Sequence, residues 1–199
     1  FKKTIKLKAD FAEGYNNLGN AQFQLGSLDE AYSSCKKAIL LKSDFAEAYN
    51  ILGEILYKQN KYLEAEENFN KVISLNSGIA NAFSYRGFSK YLIGDTKGAF
   101  DDINKSQKIN SNNPLNYFLM GIIYMDADSE KGMALFDFVI AIDPNFNIDK
   151  GGNAYGMRGG IKLSLGDFQG AIDDLNLGIL INPNIAEFYI DRGLVKSSL

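Results

Sequence analysis

The chain has 199 residues, a formal net charge of −3 and 23% charged residues of mixed sign without a basic block, so nucleic acid is not expected as a partner. It contains no histidine and one cysteine, Cys35, which excludes an intrachain disulfide and removes the usual zinc ligand and general base. No apolar run approaches the ~20 residues that span a bilayer. We therefore expect no metal, no cofactor and no membrane-spanning segment.

The sequence repeats with a nearly constant period. Successive glycines of the repeat are 34 residues apart, except for one interval of 38 residues, and an aromatic residue lies four positions before each glycine. A period in this range indicates a solenoid of stacked supersecondary units. The repeating glycines are Gly19, Gly53, Gly87, Gly121, Gly159 and Gly193.

Each period predicts two amphipathic helices, here called helix A and helix B. In the first repeat, helix A carries Tyr15, Gly19 and Phe23 on one face and ends at Gly26, where a positive φ is tolerated. Helix B follows and places the small residue Ala31 on its apolar face. We expect the glycine of helix A and the small residue of helix B to lie where the two helices cross closely.

The register predicts one elongated domain that is part of a longer array. The long interval between glycines resolves into a one-residue deletion and a five-residue insertion, which we expect to form a helical turn or a loop. The predicted segments are the end of a preceding helix B at 1–11, repeats at 12–45, 46–79, 80–113, 114–144 and 152–185, the insertion at 145–152, and an unpaired helix A at 186–199.

These motifs resemble the tetratricopeptide repeat family. The resemblance is carried by segments such as YNNLGNAQFQLGSLDEAYSSCKKAI and YNILGEILYKQNKYLEAEENFNKVI, and it covers nearly the whole chain. It implies an all-α fold, a right-handed α-solenoid of antiparallel helix pairs. It also implies that the A helices line a concave groove that holds a peptide or protein segment.

The residue before the repeating glycine is an arginine in the third and fifth repeats, Arg86 and Arg158. An arginine inside an apolar helix pair needs a partner, because an unpaired buried charge is costly. Helix phase favours Asp102 and Asp174, which lie on helix B of the same repeats. Two copies at repeat spacing favour a structural ion pair over a catalytic or anion-binding site.

The register also predicts which helix A residues face the groove. The first two repeats offer asparagine and glutamate, which can bond a peptide backbone without demanding a sequence. The apolar residues farther along either form an exposed binding patch or pack against the next repeat, and helical spacing leaves both alternatives open. The predicted groove residues are Asn16, Asn17, Asn20, Asn50, Glu54, Tyr57, Phe88, Tyr91, Phe118, Ile122 and Met125.

The sequence therefore predicts a non-catalytic scaffold for protein–protein interactions, whose partner is a protein or a peptide. An alternative is the substrate- or partner-recruiting arm of a larger transferase-type enzyme, because similar repeats are often joined to such enzymes. A third alternative is weak end-to-end self-association through the apolar ends, at Phe1 and around 188–195.

Overall fold

The computed structural model describes residues 11–125, 127–148 and 152–198. The helix end predicted at 1–11 therefore lies almost entirely outside the described residues. Within them the fold is all-α apart from one short pair of strands. The helices are α1 (Ala12–Gln24), α2 (Leu28–Leu41), α3 (Ala46–Lys58), α4 (Tyr62–Leu75), α5 (Ala80–Leu92), α6 (Thr96–Ile109), α7 (Pro114–Tyr124), α8 (Ser129–Ile142), α9 (Ala154–Ser164), α10 (Phe168–Ile181) and α11 (Ala186–Ser198), and the strands are β1 (Asn147–Ile148) and β2 (Gly152–Asn153).

The chain divides into two compact units, residues 1–111 and 112–199. The division falls next to the predicted boundary between the third and fourth repeats. In an array each repeat contacts mainly its neighbours, so one unit holds complete helix pairs without needing the other.

Tight turns join helix A to helix B in four of the pairs. Each turn contains one residue with positive φ, which glycine adopts freely and asparagine tolerates. These residues are Gly26 (φ 76°), Asn60 (φ 62°), Gly94 (φ 95°) and Gly166 (φ 81°). Gly26 thus has the positive φ expected from the sequence, and three other pairs have an equivalent residue.

The first unit consists of the antiparallel pairs α1–α2, α3–α4 and α5–α6, with α2 against α3 and α4 against α5. Its core includes Phe69 and Val72 of α4 and Ile55 of α3, all fully buried. A Cβ on Gly53 would lie 2.8 Å from the ring of Phe69, so the helices of this pair can approach closely only with glycine at this position. Helix α1 contacts α3, and α3 contacts α5, so the A helices of the three repeats form one face of this unit.

The second unit consists of the pairs α7–α8 and α9–α10, followed by α11, which packs on α10 and α9. The insertion at 145–152 was expected to form a helical turn or a loop; its described residues include strand β1, which pairs antiparallel with β2, with Asn147 opposite Asn153. The Asn153 side chain holds this hairpin in place. Its oxygen accepts from the Gly156 backbone N–H at 3.0 Å, and its Nδ2 donates to the Gly178 carbonyl at 2.8 Å.

The last helix, α11, lies within the segment 186–199 and packs on α10 and α9. Phe188 and Val195 are buried, whereas Tyr189, Ile190 and Leu194 are exposed. Unlike the five other repeating glycines, Gly193 has open space beside it: a Cβ there would meet no described atom within 4 Å. No helix in the described part of the chain combines the length and the apolar character needed to cross a membrane.

Candidate functional site

A polar cleft opens on the helix A face of the first unit. Its volume is about 370 Å³, and residues of α1 and α3 that are 34 positions apart in sequence line its two sides. We call it the asparagine cleft. Its lining residues are Asn16, Asn20, Phe23 and Gln24 of α1, Glu47, Asn50, Ile51 and Glu54 of α3, and Ile79 at the start of α5.

Two buried amide oxygens of the asparagine cleft lack hydrogen-bond donors. Among the described residues, neither Asn16 Oδ1 nor Asn50 Oδ1 has a hydrogen-bond partner, and Asn16 is only 9% exposed. The amide nitrogen of Asn50, Nδ2, donates to Glu54 Oε1 at 2.6 Å and so orients the amide group. At the corresponding position of the third repeat, the Ser84 hydroxyl forms a hydrogen bond with the Ser106 hydroxyl at 2.8 Å. The unpartnered acceptors thus belong to the first two repeats, where the cleft lies.

The carboxyl group of Glu54 is shielded from solvent. Burial raises the pKa of Glu54 to about 7, while the hydrogen bond from Asn50 and the charge of Lys58 oppose the rise. Burial lowers the pKa of Lys58, whose ammonium lies 5.1 Å from the centre of the Phe23 ring. On the facing helix α5, burial and the nearby charge of Glu54 raise the pKa of Tyr85. Glu54 therefore changes charge near neutral pH, unlike an ordinary surface glutamate.

An aromatic cluster lies next to the asparagine cleft in the first unit. Tyr57 contacts Tyr85 and Phe88, with ring centroids 5.6 Å and 6.0 Å apart, and Phe88 stacks on Tyr91 at 5.9 Å. Phe88 is 7% exposed and so belongs to the packing between helices, whereas Tyr57 and Tyr91 are half-buried. For Phe88 the structure thus favours packing over an exposed patch.

The remaining apolar groove residues belong to the second unit. Phe118 is fully buried, with its ring 5.6 Å from Phe136 and 5.5 Å from Phe146. The prediction of Phe118 as a groove residue is therefore corrected: the insertion supplies Phe146, and no helix-period argument could place that ring. Ile122 and Met125 are half-buried.

The predicted asparagines separate by helix phase. Asn16, Asn20, Asn50 and Glu54 line the asparagine cleft, whereas Asn17 is exposed and outside the cleft lining. The predicted groove residues did not include Phe23, Ile51 and Ile79, the apolar residues of the lining. Their sequence signal was the repeat period itself, since residues one period apart on successive A helices face the same space.

Both predicted arginine–aspartate pairs are present, and each belongs to a network with further residues that the sequence did not indicate. In the first unit, Arg86 donates to Asp102 through Nε at 2.7 Å and through Nη2 at 2.5 Å, and Lys90 contacts the same carboxylate at 2.9 Å. Arg86 also donates to Asn70 of α4 at 2.7 Å, which joins two repeats. Burial alone would raise the pKa of Asp102, but hydrogen bonds from Arg86 and Lys90 outweigh it and lower that pKa.

The second unit repeats this network. Arg158 donates to Asp174 at 2.7 Å and 2.6 Å and to Asp137 of the preceding helix B at 2.5 Å, and Lys162 contacts Asp174 at 2.8 Å. Asp102 and Asp174 are buried and each contacts one arginine and one lysine, so the geometry is that of a structural ion pair. In the described part of the chain, no group of three or more His, Cys, Asp and Glu side chains could hold a metal ion.

The stacked helix pairs, the close glycine crossings and the face of A helices define a helical-repeat protein. Models of the tetratricopeptide repeat match residues 12–45, 46–78 and 152–185, which together are just over half of the chain. The chain belongs to the tetratricopeptide repeat family. The comparison with curated proteins found no match.

Solved structures show the same fold at low sequence identity. The Cut9–Hcn1 hetero-tetramer of the APC/C contains a chain that is 17% identical, with a TM-score of 0.89 over 98% of this chain, which spans 38% of that one. YrrB, a tetratricopeptide repeat protein with an unusual peptide-binding site, is 21% identical, with a TM-score of 0.60 over 96% of this chain and 97% of its own. TTC0263 of Thermus thermophilus is 14% identical, with a TM-score of 0.75 over 93% of this chain and 98% of its own.

Proposed function

We propose that this chain is a non-catalytic scaffold that binds a peptide, or an extended segment of a partner protein, in the asparagine cleft. Proteins of the tetratricopeptide repeat family generally serve as scaffolds for protein–protein interactions. The observation that carries the proposal for this chain is the pair of buried, unpartnered oxygens of Asn16 and Asn50 on neighbouring helices.

A peptide supplies what these oxygens lack. Each peptide unit carries one N–H donor, and a buried acceptor without a donor costs about 1–3 kcal/mol, which a bound segment would recover. The volume of about 370 Å³ is large enough for a short stretch of chain, because ligand pockets commonly start at roughly 300 Å³. Asn20 and Gln24 offer further amides at the rim of the cleft.

Rigid elements hold the site. All the lining side chains except Ile79 come from α1 and α3, which contact each other directly, and their glycine crossings fix each helix against its own helix B. Binding therefore requires little rearrangement of the backbone. The half-buried rings of Tyr57 and Tyr91 extend the surface toward α5 and could contact side chains of a longer segment.

Selection from a random peptide display library, followed by fluorescence anisotropy with the selected peptides, tests the proposal. We expect N16A and N50A each to weaken binding about tenfold, since each removes one hydrogen bond worth about 1–1.5 kcal/mol. The matched control is N104A, which truncates an exposed asparagine of α6 outside the cleft. Peptides that bind wild type and the N16A/N50A double variant equally well would refute the proposal, provided that circular dichroism shows a folded variant.

A further inference from the structure

The charged groups that line the asparagine cleft are all acidic. Among the described residues, the ionisable side chains of the lining are Glu47 and Glu54, and the other polar lining residues are uncharged amides. Lys58 lies beside the lining, with its ammonium 5.1 Å from the centre of the Phe23 ring, and its charge acts on Glu54. A ligand carboxylate would therefore meet like charges, whereas a ligand cation would meet opposite ones.

The buried end of the cleft presents hydrogen-bond acceptors that lack donors among the described residues. Asn16 Oδ1 and Asn50 Oδ1 are unpartnered among the described residues, and Asn50 uses its own amide nitrogen to donate to Glu54. A carboxylate is an acceptor only, with more lone pairs than the single bond from Asn50 satisfies. Three side chains thus present oxygen atoms that need N–H donors.

A neutral backbone N–H brings one donor and no charge, so it could satisfy an amide oxygen but would leave the burial of the Glu54 carboxylate only partly offset by Asn50 and Lys58. A lysine ammonium brings three donors and an arginine guanidinium brings five, each with a positive charge. The methylene stem of either side chain could pack on the apolar lining, Phe23, Ile51 and Ile79. The lining therefore matches both parts of a long cationic side chain.

From this match, and resting on the proposed function, we infer that the asparagine cleft recognises a segment through one lysine or arginine side chain, bound by Asn16, Asn50 and Glu54. The raised pKa of Glu54 is consistent with this assignment, because burial of the carboxyl outweighs both the hydrogen bond from Asn50 and the charge of Lys58. A bound ammonium or guanidinium would stabilise its ionised form and lower its pKa.

Three pools of short peptides test the inference, with random flanks and a fixed central lysine, norleucine or glutamate. Norleucine keeps an unbranched apolar stem and lacks the charge. We expect the lysine pool to bind at least about tenfold more tightly than the norleucine pool, and the glutamate pool to bind most weakly. E54Q keeps the size of the side chain and should remove the preference for lysine. The matched control E67Q, on the exposed face of α4, should preserve it.

A spectroscopic readout on the wild-type protein avoids dependence on a variant. The ¹³C carboxyl resonance of Glu54, followed against pH, should give a pKa near 7 in the free protein and a value lower by about one unit or more with a saturating peptide of the lysine pool. The norleucine pool should leave the titration unchanged.

The outcomes separate this inference from the proposed function. Equal binding of the lysine and norleucine pools, with both weakened by N16A, would overturn the recognition of a cation and leave peptide binding in place. Tight binding of the lysine pool that E54Q does not affect, with an unchanged Glu54 titration, would also overturn it. Failure of every pool and of every display-selected peptide to respond to changes in the cleft would overturn both.

Discussion

Removing the carboxylate of Asp102 should destabilise the first unit strongly, because it would leave two cations without their partner. Asp102 is 1% exposed and accepts from Arg86 and Lys90, whose side chains are 13% and 18% exposed. Breaking a buried pair by removal of one partner typically costs about 3–5 kcal/mol. For a chain of this size, 1 kcal/mol corresponds to roughly 2–4 °C in Tm, so D102A should lower Tm by about 6–20 °C.

Thermal and urea unfolding followed by circular dichroism would measure this loss, and D101A is the matched control. Asp101 is the exposed neighbour on the same helix, so its truncation should change stability by less than about 0.5 kcal/mol. The pKa of Asp102 lies below its ordinary value in the folded state, so its contribution is present above that ordinary value and is lost as the pH falls through the folded pKa. The difference between wild type and D102A should therefore be full at neutral pH and shrink in acid.

Replacement of the whole network should be far milder than its disruption. Ser34 and Gln22 of the first repeat correspond to Asp102 and Lys90 of the third. The Ser34 hydroxyl donates to Gln22 Oε1 at 2.6 Å, whereas Lys90 and Asp102 form an ion pair. R86L/K90Q/D102S copies the first repeat at these positions and should recover most of the stability that D102A loses. If D102A were no less stable than D101A, or if the triple variant were less stable than D102A, the account of Asp102 as the neutralising partner would be refuted.

Three further predictions concern the first unit and α11. Burial raises the pKa of Glu54 to about 7, so the contribution of Glu54 to stability is full below the unfolded pKa of about 4.5 and is lost as the pH rises through 7. In urea unfolding, E54Q should therefore be more stable than wild type by up to about 3 kcal/mol above pH 7. An equal gain in acid would contradict this. G53A should cost about 1–3 kcal/mol because its Cβ would lie 2.8 Å from the Phe69 ring, whereas G193A, with open space, should be neutral or stabilising by up to about 1 kcal/mol; similar losses in calorimetry would refute the crossing argument. Burial raises the pKa of Cys35 to about 12, so the native thiol should resist iodoacetamide at neutral pH and react once unfolded, as mass spectrometry would detect.

The sequence alone determined the architecture, because its signals are local and repeated. Helix A, helix B and their turns follow from apolar spacing and from Gly26 and its equivalents, which adopt the positive φ that the turn needs. The partners of Arg86 and Arg158 also followed, since both lie 16 residues before an aspartate and this offset is fixed by the helix pair. Lys90 and Asn70 did not follow, because their contacts depend on the rotamers and the packing of neighbouring helices.

The tertiary structure decided which of the predicted residues face a ligand. Asn16 and Asn17 are adjacent in sequence, but a step of one residue rotates the side chain by about 100°, which places Asn16 in the cleft and Asn17 outside it. The burial of Phe118 likewise depended on the tertiary structure. Periodicity could assign its ring either to solvent or to the core, and Phe146 of the insertion contacts the ring. Hydrophobic periodicity fixes the buried side of a helix against its own partner, whereas the exposure of its remaining faces depends on contacts that arrive from elsewhere in the chain.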